Sequence, residues 1–106
     1  MNRAMYEARA KVIKALAHPS RLMVVDSLAE GEKCVCELRD LVGSDFSTIP
    51  KHLALMKDAG LVEDRKVGQQ VFYRLQEPCI LNFFGCVEAA LQEDLKRRKE
   101  IALKTA

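Results

Sequence analysis

The topology of the chain is set by residues 35–75, which read VCELRDLVGSDFSTIPKHLALMKDAGLVEDRKVGQQVFYRL. In the first part of this segment, apolar residues recur at three- and four-residue spacing. This spacing predicts a short helix over residues 35–42 and a second helix over residues 46–59. We expect Gly43 and Gly60 to end these helices, because glycine readily adopts the left-handed backbone of a helix end.

A β-hairpin is predicted directly after the two helices. Residues 61–67 and 70–75 are rich in Val, Leu, Phe and Tyr, and Gly68-Gln69 between them suits a two-residue turn. Two helices joined by a tight turn and followed by a two-stranded wing are typical of a winged helix-turn-helix. In that fold the second helix lies in the major groove of DNA.

Further helices are predicted on both sides of this unit. The apolar spacing indicates helices over residues 4–17, 19–29 and 77–98. The expected fold class is therefore mainly α (α+β), a winged helix-turn-helix with five helices and a two-stranded β-hairpin wing. The apolar stripes of the first and last helices exceed what so small a core can cover, so we expect a two-fold homodimer through them.

The composition fits one small domain. The chain has 106 residues, of which 49% are hydrophobic and 30% charged, and its net charge is +2. We expect a single domain over residues 1–106, with little room for an enzyme cleft. No apolar run approaches the roughly 18 residues of a membrane span, and the N-terminus lacks a signal-peptide core. These features predict a cytoplasmic protein that is not an enzyme and has no membrane partner.

The helix predicted over residues 46–59 is the fourth in chain order, and its N-terminal half is predicted to expose a DNA-binding face. Hydroxyl, ammonium and imidazole groups can bond to phosphates and base edges, and cations near the hairpin tip would release counterions from DNA. The candidate residues are Ser47, Thr48, Lys51 and His52 on the helix and Arg65 and Lys66 on the wing. The same pattern also suits a solvated helix face and a charged hairpin tip that keep the domain soluble.

The most specific chemical feature is the sequence Cys34-Val35-Cys36 at the start of the third helix. Two thiolates one residue apart suit a soft ion such as As(III), Sb(III), Cd(II), Pb(II) or Zn(II). Residues two apart on a regular helix point about 200° from each other. Both sulfurs can therefore reach one ion only if the first turn unwinds or Cys34 lies outside it. Ligation would then distort the helix that positions the DNA-reading helix.

Three segments of the chain resemble the arsenic-responsive ArsR/SmtB repressor family. They are residues 14–22 (KALAHPSRL), 46–62 (FSTIPKHLALMKDAGLV) and 68–75 (GQQVFYRL). Members of that family are homodimeric winged-helix repressors that leave operator DNA when a metal or metalloid binds. The resemblance implies that the six candidates above contact DNA and adds Gln69 on the wing. Pro50 departs from the family pattern, and we expect it to remove one DNA contact and shift the helix backbone.

The resemblance also bears on the metal ligands. The C-x-C sequence falls where the arsenic, cadmium and lead sensors of the family carry cysteine ligands, and As(III) is usually held there by three thiolates. Many arsenic sensors have a third cysteine where this chain has Arg39. Cys79, Cys86, a cysteine of a second subunit or a small thiol could supply that sulfur. The candidate ligands are Cys34, Cys36 and Cys79, and Cys86 is expected in the core.

The favoured function is a homodimeric repressor that binds an inverted-repeat operator when ligand-free. It would dissociate when As(III) or Sb(III) binds Cys34 and Cys36, with no organic cofactor. The same scaffold could instead sense Cd(II) or Pb(II), or a thiol redox or persulfide state. Two alternatives belong to other classes. The first is a thiol enzyme, for which this chain offers no obvious base and no C-x-x-C sequence. The second is a winged-helix adaptor that binds no DNA.

Overall fold

The computed structural model describes the backbone of residues 1–105 and the side chains of residues 1–43 and 47–104. Within this range the elements are α1 (Arg3–Leu16), α2 (Pro19–Leu28), β1 (Lys33–Cys34), α3 (Val35–Val42), α4 (Ile49–Asp58), β2 (Val62–Val67), β3 (Gln70–Leu75) and α5 (Ile80–Thr105). A 3-10 segment, Gly43–Thr48, joins α3 to α4. The predicted winged helix-turn-helix with five helices and a hairpin wing is confirmed.

The core lies where α2, α3 and α4 meet the wing. Each large apolar side chain that is fully buried contributes about 1.5–3 kcal/mol relative to an exposed one. The largest fully buried side chains are Leu38, Ile49, Leu53, Met56, Val24, Val25 and Val62. Because they come from all four parts of the domain, this core holds α3 and α4 in a fixed relation to the wing.

The fourth helix begins later than predicted. Residues 46–48, which were expected to open it, belong to the 3-10 segment, and α4 begins at Ile49. Pro50 therefore lies at the start of α4, where its missing N–H would have had no partner within the helix. The expected backbone shift at Pro50 is wrong, because proline disturbs a helix only beyond its first turn.

The wing is a three-stranded antiparallel sheet in the order β1-β3-β2. The predicted hairpin of β2 and β3 is confirmed, and Gly68 adopts the positive φ of +61° that its turn requires. The additional strand, β1, consists of Lys33 and Cys34, which pair with Tyr73 and Phe72 of β3. Two residues show no alternation of apolar and polar side chains, so the sequence does not reveal this strand. Since β1 runs directly into α3, the cysteine pair lies at the junction between the wing and the helix-turn-helix.

The N-terminal part of α1 and most of α5 extend away from the core. The Cα radius of gyration is 17.1 Å, against about 13 Å for a compact domain of this size. Exposed large apolar side chains include Met5, Tyr6 and Ile13 on α1 and Phe83, Val87, Leu91, Leu95, Ile101 and Leu103 on α5. α5 also continues to Thr105, beyond its predicted end at residue 98. Across residues 1–105, no helix has the length and apolar character needed to cross a membrane.

Candidate metal centre and nucleic-acid interface

Cys34 lies at the junction of β1 and α3. It is the last residue of β1 and the N-cap of α3, and its extended backbone (φ −79°, ψ 161°) places it outside the first helical turn. Cys34 is only 7% exposed, whereas Cys36 in the first turn is exposed, and both are free thiols. The geometric condition for a shared ion, that Cys34 lies outside the helix, is therefore met.

A reciprocal pair of hydrogen bonds closes the N-terminus of α3. The backbone N–H of Glu37 donates to the Cys34 sulfur, and the backbone N–H of Cys34 donates to Glu37 Oε1 at 3.4 Å. Such a capping box satisfies N–H groups that a helix end leaves without partners. If the buried Cys34 sulfur turns outward to share an ion with Cys36, it leaves this hydrogen bond. Ligation and helix capping thus compete for the same sulfur.

The surroundings of Cys34 favour its protonated thiol. The hydrogen bond from the Glu37 backbone lowers the pKa of Cys34, but desolvation and the Glu37 carboxylate raise it, and the pKa lies above the ordinary 9.0. An ion must therefore displace the thiol proton when it binds. Thiolates prefer soft ions. The two thiols of Cys34 and Cys36 therefore fit a soft ion whose binding releases their protons.

The side chains that the structure describes within one chain do not supply a third ligand beside Cys34 and Cys36. Cys79 is exposed and directly precedes α5. Among residues 1–43 and 47–104, no three His, Cys, Asp or Glu side chains are grouped closely enough to hold a metal ion. The structure places Cys34 and Cys36 two positions apart at the junction of β1 and α3 and does not bring Cys79 into a three-ligand group with them.

Cys86 is also exposed, so the expectation that it belongs to the core is wrong for a single chain. The residues of α5 that pack against the core are Ile80, Leu81 and Phe84. Beyond this first part, α5 leaves the domain, and its apolar residues lose contact with the core. The apolar neighbours of Cys86 therefore indicate an unpaired helix face rather than burial.

The polar residues at the start of α4 lie largely as predicted. Ser47 and Lys51 are exposed, and Thr48 is half-buried and forms the N-cap of α4. The N-terminus of a helix attracts anions, because its N–H groups and dipole present positive charge. Ser47, Thr48 and Lys51 thus lie around a helix end suited to phosphate.

His52 does not belong to this surface. It is 7% exposed, because it follows Ile49 by three residues and precedes Met56 by four, and both lie on the inward stripe of α4. Its ring lies 4.5 Å from the ring of His18, between centroids, and its Nδ1 lies 3.4 Å from Nη1 of Arg21. The expectation that His52 is on an exposed DNA-reading face is wrong; the side chain joins α4 to the start of α2.

The wing presents Arg65, Lys66 and Gln69 to solvent, as predicted. Arg65 also contacts the sheet, since its guanidinium carbon lies 5.8 Å from the centroid of the Phe72 ring. Lys66 and Gln69 flank the turn at Gly68, farther from the core.

A carboxylate that sequence reasoning missed binds Arg65. Nε of Arg65 donates to the two oxygens of Glu32 at 3.0 and 2.8 Å, and Nη2 donates to Oε1 at 2.7 Å. The hydrogen bond from Arg65 lowers the pKa of the Glu32 carboxyl, and the same bond raises the pKa of Arg65. The two residues are 33 positions apart, so no local pattern signals the contact. The charged run at residues 30–33 is the only hint that the sequence offers.

Residues 18–64 match the model of the family described as bacterial regulatory protein, arsR family. The matched segment contains α2, the cysteine pair, α3 and α4, and it ends in β2. The match therefore covers Cys34, Cys36 and the candidate reading helix, and it does not reach Cys79.

Two named relatives and one solved structure are similar to larger parts of the chain. The biofilm growth-associated repressor of Xylella fastidiosa is 43% identical over 68 residues, which are 64% of this chain and 60% of that protein. A homolog of the cadmium resistance transcriptional regulatory protein CadC from Staphylococcus aureus is 39% identical over 69 residues, which are 64% of this chain and 57% of that protein. The chain thus spans no more than 60% of the length of either relative.

The solved structure is the homodimeric winged helix-turn-helix DNA-binding domain of a possible ArsR-family transcriptional regulator from Mycobacterium bovis. It superposes with a TM-score of 0.75 at 33% identity, over 89% of this chain and 87% of that one. The similarity extends over nearly the whole fold, including regions outside the segment that matches the family model.

Proposed function

The chain belongs to the ArsR family of bacterial regulatory proteins, and on that premise we propose that it is a homodimeric transcriptional repressor released from operator DNA by a thiophilic ion. Proteins of this family are DNA-binding regulators and not enzymes. The proposal includes no organic cofactor and no membrane partner, and it places the protein in the cytoplasm.

DNA binding is proposed to use α4 and the wing. In this fold the N-terminal end of the second helix of the motif contacts base edges and phosphates in the major groove. The exposed positions at the start of α4 and near the wing turn are of suitable type and charge. The proposed contacts are Ser47, Thr48 and Lys51 on α4 and its N-terminal approach, and Arg65, Lys66 and Gln69 on the wing.

Pairing of two copies is proposed to bury the apolar faces of α1 and α5. Phe83, Val87 and Leu91 follow one another at four-residue spacing on α5 and are 45%, 41% and 64% exposed. Spacing of this kind marks one face of a helix. The similar domain from Mycobacterium bovis is homodimeric, which supports the same state here. A two-fold dimer would place its reading helices about 34 Å apart and so require an inverted-repeat operator.

The observation that carries the ion-release proposal is the position of Cys34. This residue is at once the end of the wing sheet, the cap of α3 and the buried member of the thiol pair. Turning its sulfur toward an ion shared with Cys36 removes the cap of α3. The same movement displaces the end of β1 and the start of α3. The 3-10 segment connects α3 directly to α4, the reading helix. A change at the cap of α3 therefore alters the placement of α4.

We propose As(III) or Sb(III) as the inducer, bound by Cys34, Cys36 and a third sulfur. Cys79 is a candidate for that sulfur, as is a cysteine of a second subunit. Cd(II) or Pb(II) is the second candidate inducer, because a relative carries a cadmium-resistance name and these ions also favour thiolates. A redox or persulfide response of the same cysteines is the third.

Two titrations test the proposal on the reduced protein and on the variant Cys34→Ser/Cys36→Ser. The first measures binding to duplex DNA from upstream of the protein's own gene, and we expect an affinity that falls steeply with salt. The second follows ultraviolet absorbance from sulfur-to-metal charge transfer during addition of As(III) or Cd(II). We expect a saturable signal in the native protein and none in the double variant. Absence of DNA binding at low salt, or equal signals in both proteins, would overturn the proposal.

A further inference from the structure

The Glu32–Arg65 ion pair joins the segment before the cysteine pair to the DNA-facing wing. Glu32 lies two residues before Cys34, and its carboxylate accepts three hydrogen bonds from Arg65, at 2.7 to 3.0 Å. The carboxylate side chain is 25% exposed, whereas the arginine side chain is 64% exposed. Glu32 therefore lies closer to the domain, and Arg65 is the more solvent-exposed partner. Bidentate pairs of this kind fix orientation as well as charge.

A second connection runs through the sheet itself. Cys34 pairs with Phe72 across the β1–β3 ladder, and Phe72 pairs with Arg65 across the β2–β3 ladder. Residues paired in this way point to the same face of an antiparallel sheet. The guanidinium of Arg65 also lies against the Phe72 ring. Arg65 is thus connected to the cysteine segment in two ways. It lies in one cross-strand row with Phe72 and Cys34, and it forms an ion pair with Glu32.

We propose that Glu32 is a positioning residue that couples the cysteine pair to the wing by holding Arg65 in its DNA-binding orientation. The proposal rests on the proposed function and adds a second route by which an ion weakens DNA binding, separate from the displacement of α3 and α4. It assigns to Glu32 a part in regulation although Glu32 itself contacts neither the ion nor DNA.

A movement of Cys34 reaches Glu32 because β1 is only two residues long. A displacement of Cys34 that frees its sulfur moves Lys33 and Glu32 with it, since the short strand has no further pairs to absorb the change. The carboxylate then leaves the bidentate geometry, and Arg65 loses the support that orients it. An ion at the cysteines thereby removes a wing contact while Lys66 and Gln69 are left in place.

The coupling is measured as the ratio of two dissociation constants for the same DNA duplex, with and without saturating As(III). Glu32→Gln removes the charge and one acceptor and leaves Arg65 in the chain. We expect the ratio to fall about two- to fivefold, the size of effect that an exposed ion pair has. Arg65→Lys keeps the positive charge but cannot form the bidentate pair, and we expect its ratio to fall to the same extent. The matched control is Glu63→Gln, because Glu63 pairs with Arg74 on the same wing and should leave the ratio unchanged.

A spectroscopic readout keeps the test independent of DNA affinity. In 15N NMR spectra, the Nε–H signal of Arg65 should shift on addition of As(III) to the native protein and stay fixed in Cys34→Ser/Cys36→Ser. If As(III) releases the native protein from DNA but Glu32→Gln keeps the native ratio, the coupling role of Glu32 is refuted and the proposed function stands. If neither As(III) nor Cd(II) releases the native protein, both proposals fail. A static Arg65 signal in the native protein would also refute the coupling.

Discussion

The Cys34 sulfur accepts a hydrogen bond from the backbone N–H of Glu37, so a candidate ion ligand is also the N-cap of α3. Serine, threonine, aspartate and asparagine are the usual residues at this position. A thiol there forms a weaker cap and adds an affinity for soft ions. If Cys34 binds the proposed ion, sensing and helix capping use the same sulfur atom.

Substitution of Cys34 separates these two roles. Cys34→Ser keeps a good acceptor at the N-cap, whereas Cys34→Ala removes it. We expect thermal unfolding of Cys34→Ala to have a midpoint about 4 to 8 °C below that of Cys34→Ser, the shift that loss of one cap causes in a domain of this size. Equal midpoints in scanning calorimetry would show that the cap contributes nothing.

The raised pKa of Cys34 predicts a pH dependence of folding stability. A group whose pKa is higher in the folded than in the unfolded state stabilises the fold fully below the unfolded pKa, and this contribution is lost as pH rises through the folded pKa. The ordinary thiol pKa is 9.0. As the pH rises from below 9.0 to above it, the urea midpoint of the reduced native protein should therefore fall relative to that of Cys34→Ser. A constant difference between the two proteins over this range contradicts the assignment.

Lys51 is expected to bind DNA phosphate, since it is exposed at the N-terminal end of α4. Lys51→Ala should weaken binding to all duplexes and reduce the slope of log K against log salt by about 1. Lys99→Ala removes another exposed cation, from α5, and should leave the slope unchanged. Equal slopes for the Lys51 variant and the native protein would remove this residue from the interface.

His52 is expected to act through stability and not through DNA contact. His52→Ala deletes a buried ring that lies against His18 and near Arg21. The loss of a partner for a buried polar group lowers the stability of the folded protein. The variant should unfold at lower urea concentration than the native protein. At a temperature where it remains folded, its DNA affinity should stay within about twofold of native. A native-like midpoint together with a large loss of affinity would restore His52 to the DNA face.

The apolar face of α5 is expected to hold the dimer together. Leu91 is 64% exposed in the single chain, so Leu91→Glu costs the isolated fold little and places a charge in the proposed interface. Light scattering should give a monomer mass for this variant, with native helix content by circular dichroism. Gln92→Glu, which adds a charge at the next residue round the helix, is the control and should remain dimeric. A dimeric Leu91→Glu would exclude this face.

The parts of the fold that the sequence predicted well are those with strong local signals. The bounds of α3 at Val35 and Val42 were predicted because a short apolar period is closed by Gly43. The wing turn was predicted because Gly68 stands between two strand-like runs. β1 was missed because a two-residue strand depends on its partner strand and not on its own pattern.

The candidate site was predicted less completely. The polarity of His52 suggested an exposed position, although its spacing from Ile49 and Met56 places it on the inward stripe. The link between Glu32 and Arg65 joins residues from different elements and requires the tertiary fold. A third sulfur beside Cys34 and Cys36 would come from a residue distant in the sequence or from a second subunit, and local periodicity encodes neither.

The central claim is that ion binding at the Cys34 cap releases DNA. The most direct measurement is the fluorescence anisotropy of a labelled operator duplex bound by the reduced protein, titrated with As(III) and in parallel with Cd(II). Native protein should dissociate with a saturable dependence on As(III), whereas Cys34→Ser should bind the duplex with similar affinity and stay bound. Release of Cys34→Ser at the same concentrations as native protein, or retention of native protein at saturation with both ions, would contradict the account.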